Sequence, residues 1–244
     1  MSKKLFDTRP FHLKPFSLQH HCSTMKVGTD AMILGTWTSV KNINSILDIG
    51  TGCGIISLLL ATRSKAKIVA IDIDEDSIVE ASENFKLSPF NERMQTLKAD
   101  LNDFSKISNQ QFDLIVSNPP FFVNDLKPED EKRKKARHSD SLTYNQLTEA
   151  VVKLLAPEGN FSIVLPYEVS RLFIKIANKN GLYQKRQLII FSKEGMLPNR
   201  TNIEFSKKPS LEIHSEKFTI RNSEGEFTRQ YIDLLKDFYL NLGE

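Results

Sequence analysis

The stretch SNPPFF, residues 117–122, places an amide, two prolines and two aromatic rings directly after the apolar run FDLIV. Proline cannot donate a hydrogen bond to a sheet ladder, so Pro119 and Pro120 predict the end of a strand at its carboxyl edge. The Asn118 side-chain oxygen and the Pro119 carbonyl are two acceptors that can hold both hydrogens of a planar amino group. Phe121 offers a face on which a base can stack, which is worth about 1–3 kcal/mol. The alternative reading of this corner is a strand-terminating turn with buried phenylalanines.

A second pattern, DIGTGCG at residues 48–54, joins a strand-like run to a helix-like run. Glycines let the backbone approach a ligand closely, and this turn is where nucleotide-like ligands bind in doubly wound sheets. Asp72 lies 22 residues after Gly50, at the end of the next strand-like run, where a carboxylate can accept both hydroxyl hydrogens of a ribose. The dinucleotide fingerprint G-x-G-x-x-G requires glycine where this chain has Ile55. A ligand with a ribose but no pyrophosphate is therefore favoured.

The elements that must position these residues alternate along the chain. Apolar strand-like runs separated by helix-length segments indicate a mainly parallel sheet covered on both faces. Asp76 and Ser77 are candidate N-caps for one helix, and Pro157 with Gly159 is expected to end another. We predict a doubly wound α/β fold with a mainly parallel seven-stranded sheet and an antiparallel C-terminal strand. The predicted strands lie at 45–50, 67–74, 94–100, 112–118, 160–166, 187–192, 201–206 and 217–222, and the last three lack long helices between them.

Composition is typical of a globular protein. The 244 residues are 40% hydrophobic and 26% charged with a net charge of +3, and no apolar run approaches the roughly 20 residues of a membrane span. We therefore expect a cytoplasmic protein without a membrane partner, in which residues 1–44 form a cap and 45–244 the main domain. Cys22 and Cys53 are too few for a disulfide framework, and His20 and His21 with one cysteine are not a recognisable ligand set, so we expect no metal.

Basic residues follow the NPPF corner in the run Lys132 to Arg137. Such residues can neutralise RNA phosphates and make binding dependent on salt. A solvated charged loop explains the same charge pattern equally well.

The N-terminal stretch FHLKPFSLQHHCSTMKVGTDAMILGTW, residues 11–37, resembles the opening of the bacterial tRNA(Val) (adenine-37 N6)-methyltransferase family. With DIGTGCG, NPPF and LLAPEGNFSIVLP, the resemblance runs from about residue 10 to 210. It implies a class I, Rossmann-like methyltransferase that uses S-adenosylmethionine to methylate the N6 amino group of an adenine in RNA. The implied partner is the anticodon stem-loop of a valine tRNA, with no stable protein partner.

The resemblance also implies roles for individual residues. The segment from Lys26 to Asp30 would close over the methionine end of the cofactor, and Asp100 would bind the adenine amino group unless it serves only as a helix or turn cap. The expected catalytic residues are Asn118, Pro119, Pro120 and Phe121. The expected cofactor-binding residues are Lys26, Gly28, Thr29, Asp48, Gly50, Gly52, Gly54, Asp72, Ile73, Asp100, Leu101 and Asn118, and the expected RNA-binding residues are Lys132, Arg133 and Arg137.

Two other functions stay open at this level. The NPPF motif also occurs in enzymes that methylate a glutamine amide on release factors, because it recognises a planar nitrogen and not one substrate. A non-catalytic RNA-binding protein with a vestigial cofactor site is the third reading. Intact Gly50, Gly52, Asp72 and Asn118 argue against such decay.

Overall fold

The structure is a computed structural model that describes residues 9–23, 26–119 and 142–242. The strands are β1 (Phe11–His12), β2 (Ser17–Leu18), β3 (Ser45–Ile49), β4 (Lys67–Asp72), β5 (Met94–Lys98), β6 (Phe112–Ser117), β7 (Leu155–Pro166), β8 (Tyr183–Lys193), β9 (Arg200–Ser206) and β10 (His214–Arg221). The helices are α1 (Thr29–Trp37), α2 (Ile55–Arg63), α3 (Glu75–Leu87), α4 (Leu101–Ile107), α5 (Tyr144–Leu154), α6 (Tyr167–Lys179) and α7 (Arg229–Leu235). None of the helices in these ranges is long and apolar enough to cross a membrane.

The main sheet has the strand order β10-β8-β9-β7-β6-β3-β4-β5, which confirms the predicted mainly parallel α/β class. It differs from the prediction in two respects: it has eight strands rather than seven, and the antiparallel strand is β9, between β7 and β8. The last strand, β10, pairs parallel with β8. The direction in which the chain leaves β9 explains why β10 is parallel to β8. The chain leaves β9 at the amino edge of the parallel strands, so β10 starts there and runs in the same direction as β8.

Two apolar cores cover the two faces of the sheet. Side chains alternate along a strand, so Ile46 packs into one core and its neighbour Leu47 into the other. The first core takes in residues of α1, α2, α3 and α7, and the second takes in residues of α4, α5 and α6. Both faces of the parallel strands are therefore buried, which leaves strand ends as the places where polar groups can meet a ligand.

Two predicted helix boundaries are wrong. The N-cap of α3 is Asp74, whose side chain accepts a hydrogen bond from the Ser77 amide, so Asp76 and Ser77 lie inside the helix. Helix α5 ends at Leu154, and Pro157 lies within β7. The cause is tertiary, because Leu155 pairs with Phe112 of β6 and so begins a strand before the proline is reached.

Close packing of α1 on α2 depends on Gly35. A Cβ atom at Gly35 would lie 2.7 Å from Cδ1 and 3.0 Å from Cβ of Leu59. Both helices are buried over most of their length, so neither can move away without opening the first core. The glycine thus permits the approach that holds α1 against the sheet.

We predict that Gly35→Ala lowers the free energy of unfolding by about 1–3 kcal/mol, because overpacking outweighs the better helix propensity of alanine. Urea denaturation measures the change. In a Leu59→Ala background the same substitution should cost less, because the overlap with Cδ1 is gone and only the 3.0 Å contact with Cβ remains. An equal loss in both backgrounds would contradict a steric cause.

Candidate active site

The ends of β4, β3 and β6 lie side by side at the carboxyl edge of the sheet. Ile49 at the end of β3 pairs with Ile71 of β4 and with Ser117 of β6. The amide of Gly50 donates to the Ile71 carbonyl at 2.9 Å, and the Ser117 hydroxyl donates to the Ile49 carbonyl at 2.9 Å. Because neighbouring strands are about 4.8 Å apart, Gly50 and Asn118 leave the sheet next to each other. The glycine loop and the NPPF corner therefore share one crevice.

The glycine loop presents open backbone to that crevice. Gly50 and Gly52 have φ angles of 70° and 55°, in the left-handed region that other residues rarely adopt, and a Cβ on either would meet no atom within 4 Å. Gly54 also has a positive φ, of 85°, and a Cβ there would lie 2.5 Å from the Phe85 ring. The first two glycines thus face free space, and the third packs the loop against α3.

Asp72 lies at the end of β4 beside this loop. One carboxylate oxygen accepts a hydrogen bond from the Gly52 amide at 2.9 Å, and the other accepts one from the Asp74 amide at 3.0 Å. These bonds hold the half-buried carboxylate at the loop, and Ile73 next to it leaves 64% of its surface exposed. An oriented carboxylate beside an exposed apolar side chain fits a ribose with its attached base.

Asp48 lies beneath the loop and is fully buried. One of its carboxylate oxygens accepts hydrogen bonds from the hydroxyls of Thr51 at 2.8 Å and Ser57 at 2.7 Å, and the other has no partner. Burial raises the pKa of Asp48 to about 6, against the opposing effect of the two hydroxyls, and the nearby charge of Asp72 adds to the increase. The side chain therefore ties the glycine loop to α2 from below.

The third predicted acid, Asp100, is the N-cap of α4. A single oxygen of its carboxylate accepts the amides of Asn102 at 2.8 Å and Asp103 at 3.2 Å. The side chain of Leu101 is buried in the second core, so its backbone is the part that a ligand can reach. The capping alternative for Asp100 is confirmed, and cofactor binding by these two residues stays a prediction.

The segment before α1 reaches the same edge of the sheet. Lys26 and Thr29 are exposed, and Gly28 is the N-cap of α1 with an extended backbone. Asp30 forms an ion pair with Arg200 at 2.8 Å, and Arg200 pairs with Pro166 at the carboxyl end of β7. The start of α1 is thereby fixed near the strand ends that carry the crevice.

A buried carboxylate and amide on α3 hold the preceding residues 19–23, and sequence reasoning missed both. Glu80 accepts hydrogen bonds from the backbone amides of His21, Cys22 and Ser23 at 2.8 to 3.0 Å. Burial alone would raise the pKa of Glu80, but these bonds and the Ser23 hydroxyl lower it below its usual value. The only sequence signal was a charged residue on the predicted inner face of an amphipathic helix.

Asn84, one helical turn further along α3, connects this segment to the glycine loop. Its side chain bonds both the amide and the carbonyl of Gln19, at 2.7 and 2.8 Å, and donates to the Cys53 carbonyl at 2.8 Å. His20 adds a local bond by accepting the Val27 amide at 3.2 Å. Residues 19–23, α3 and the glycine loop are therefore joined by buried and half-buried polar contacts.

Several predicted site residues lie outside the described residues. They are Pro120 and Phe121 of the NPPF corner and the basic residues Lys132, Arg133 and Arg137. Within the described part of the corner, Asn118 is half-buried and Pro119 is buried.

The sheet order and the glycine loop define a class I methyltransferase fold, and solved structures share it. A predicted O-methyltransferase of Agrobacterium tumefaciens covers 86% of this chain and 96% of its own, with a TM-score of 0.68 at 16% identity. A ribosomal protein L11 methylase of Lactobacillus delbrueckii subsp. bulgaricus covers 81% of this chain and 100% of its own, with a TM-score of 0.54 at 17% identity. At these identities the similarity concerns the fold alone.

Sequence relatives give the particular family. The model of the methyltransferase small domain matches residues 23–171. A protein of Bacteroides fragilis called tRNA1(Val) (adenine(37)-N6)-methyltransferase is 40% identical over 95% of this chain and 98% of its own length. A protein of the same name in Tolumonas auensis is 36% identical over 95% of this chain and 97% of its own length. The chain therefore belongs to the methyltransferase small domain family, in the branch of the tRNA1(Val) (adenine(37)-N6)-methyltransferases.

We predict that ionisation of Asp48 lowers stability as the pH rises. The folded-state pKa of about 6 exceeds the ordinary value of 3.8 for an aspartate, so between these pH values the folded state keeps a proton that the unfolded state has released. Stability relative to Asp48→Asn should fall by roughly 1–2 kcal/mol between about pH 5 and about pH 7.5. Urea denaturation at the two pH values measures this, and a pH-independent difference would contradict the raised pKa.

We also predict that Asn84→Ala loosens residues 19–23. Loss of the two hydrogen bonds to Gln19, worth about 0.5–1.5 kcal/mol each, should speed amide exchange in this segment roughly five- to a hundredfold. Hydrogen exchange followed by mass spectrometry of peptides measures it. Asn180→Ala is the matched control, because Asn180 bonds Asn145 and Thr148 elsewhere in the fold. Equal acceleration in both variants would mean a general loss of stability.

Proposed function

We propose that this protein transfers a methyl group from S-adenosylmethionine to the N6 amino group of an adenine in RNA, and that this adenine is position 37 of a valine tRNA. The observation that carries the proposal is the register of β3 and β6, which brings Asn118 next to Gly50. Membership of the tRNA1(Val) (adenine(37)-N6)-methyltransferase branch supports the substrate.

The residues at the crevice fit the cofactor. The open backbone at Gly50 and Gly52 leaves room that a side chain would fill, and Asp72 is oriented for ribose hydroxyls. Bound S-adenosylmethionine supplies an electrophilic methyl group on a sulfonium. The exposed Lys26, Gly28 and Thr29 at the start of α1 are the groups we assign to its methionine end.

The acceptor side of the proposal rests on Asn118 and Pro119. The lone pair of an exocyclic amino nitrogen is delocalised into the adenine ring and is a poor nucleophile. The Asn118 side-chain oxygen and the Pro119 carbonyl would each accept one amino hydrogen and turn the lone pair towards the methyl group. Such alignment can contribute about 7–11 kcal/mol in favourable cases. The methylated nitrogen is cationic and acidic, so its proton leaves without a strong base.

The RNA part of the proposal follows from the relatives' names and from charge. A loop adenine needs little energy to leave its stack, because it is not paired in a duplex. Lys132, Arg133 and Arg137 are the residues we assign to phosphate binding, and this assignment rests on the sequence.

The test is transfer of labelled methyl groups from S-adenosylmethionine into total tRNA, followed by nucleoside analysis and mapping of the labelled position. We predict N6-methyladenosine at position 37 of valine tRNA. Asn118→Ala should reduce the rate by about a hundredfold or more, because one acceptor that aligns the amino group is lost. Asn118→Asp should retain more activity, since a carboxylate also accepts the hydrogen bond.

Asn109→Ala is the matched control, because Asn109 is an exposed asparagine just before β6, at the opposite end of the same strand. It should leave the rate unchanged. Label that appears only in protein and survives ribonuclease would overturn the RNA substrate in favour of glutamine methylation. No transfer to either acceptor would favour a binding protein with a vestigial cofactor site.

A further inference from the structure

A small cavity lies between residues 19–22 and α3. Its volume is about 110 Å³, and its lining includes Gln19, His21, Cys22, Asp76, Glu80 and Glu83. The three acids follow one another at spacings of four and three residues, so they share one face of α3. The lining thus brings three carboxylates, one thiol and one imidazole together.

Among the described residues, the lining of this cavity contains no lysine or arginine that could balance its carboxylates. Like charges on one helix face repel each other. Two lone-pair atoms in the same lining, Oε1 of Gln19 and Nδ1 of His21, are buried and have no hydrogen-bond partner. Backbone amides donate hydrogen bonds to Glu80, but the two unpartnered atoms and the neighbouring carboxylates of Asp76 and Glu83 still form an environment that favours a cation.

Three of these groups have the chemistry and spacing of metal ligands. One donor atom each from His21, Cys22 and Glu80 lies within 4.8 Å of the others, and Nδ1 of His21 is 3.7 Å from Glu80 Oε1. Donor atoms in a tetrahedral zinc site are about 3.3–3.6 Å apart, so the side chains need to approach by about 1 Å. Cys22 is exposed and the His21 side chain is 30% exposed, so both have room to turn.

Glu80 is the fixed member of the set. The amides of His21, Cys22 and Ser23 orient its carboxylate, as outer hydrogen bonds commonly do for carboxylate ligands of metals. Two of these three residues, His21 and Cys22, supply the other ligands. The backbone turn that binds Glu80 therefore also brings the imidazole and the thiol close to the Glu80 carboxylate. The turn therefore assembles the set before any ion binds.

We propose that this cavity is a binding site for a borderline-soft divalent cation such as Zn²⁺, with His21, Cys22 and Glu80 as its protein ligands. Thiolate, imidazole and carboxylate together select zinc-like ions over Mg²⁺ or Ca²⁺, which prefer oxygen ligands. Three protein ligands leave a fourth position for water, which Gln19 Oε1 is placed to receive. The bound ion would balance the acidic face and fasten residues 19–23 to α3.

The sequence alone did not indicate this site, because Glu80 is 58 residues from Cys22 in the chain. The proposal is independent of the methyl transfer. A zinc-free protein that methylates tRNA would not contradict it, and an inactive protein that binds zinc would leave it standing.

The test is calorimetric titration of untagged full-length protein with ZnCl₂ at about pH 7.5, with a phosphine reductant that keeps the thiols free. We expect one equivalent to bind, with at least a tenfold loss of affinity in Cys22→Ser and in His21→Asn. His214→Asn is the matched control, because its exposed imidazole lies on β10 and pairs with Glu216. Circular dichroism of each variant checks that the fold is retained.

The absorption spectrum of bound Co²⁺ is a second measurement. It reports coordination by the Cys22 thiolate, which a purely structural role of Cys22 would not produce. Co²⁺ at this site should show the near-ultraviolet charge-transfer band of a thiolate ligand, absent in Cys22→Ser, and excess Mg²⁺ should not displace it. Unchanged zinc affinity in Cys22→Ser, equal competition by Mg²⁺, or absence of binding would each overturn the proposal. Glu80→Gln should weaken zinc binding even though its amide oxygen can still accept backbone hydrogen bonds.

Discussion

Ile49, the last residue of β3, pairs with Ile71 on one side and Ser117 on the other, and the candidate site is positioned by this double pairing. Parallel strands in register end level with one another, so their exits face one crevice. The Gly50 amide and the Ser117 hydroxyl close the two junctions with hydrogen bonds of 2.9 Å. A slip of either neighbour by one residue would reverse its side-chain faces and separate Asn118 from the glycine loop.

Buried polar groups on and below the loop add a second layer of constraint. Asp48 ties the glycine loop to α2, and Asn84 joins it to Gln19. Buried polar groups are costly unless they are hydrogen-bonded, so these contacts favour one arrangement of the loop and the segment before α1 over many. The unpartnered oxygen of Asp48 is the exception, and it accompanies the raised pKa of that carboxyl.

Sequence patterns predicted the structure correctly where a feature depends on a single strand, helix or turn. The strands that flank the crevice, the glycine loop and the position of Asp72 at a strand end all follow from apolar runs closed by glycine or a polar residue. The predicted element boundaries and strand directions were wrong where pairing with a strand distant in sequence decided them. Pairing of Leu155 with Phe112 drew Pro157 into β7, and the return of the chain at the amino edge made β10 parallel.

The sequence by itself determined the α/β class, the strand-to-helix turn at Gly50 and the corner that begins with Asn118, because periodicity, glycine and proline act on the local backbone. Only the tertiary structure decided that Asp48 is buried beneath the glycine loop and that Glu80 and Asn84 hold residues 19–23. These outcomes depend on contacts between residues as far as 65 positions apart, which no local pattern encodes. Burial and hydrogen-bond partners are properties of the packed chain, and they assign different roles to side chains that look alike in the sequence.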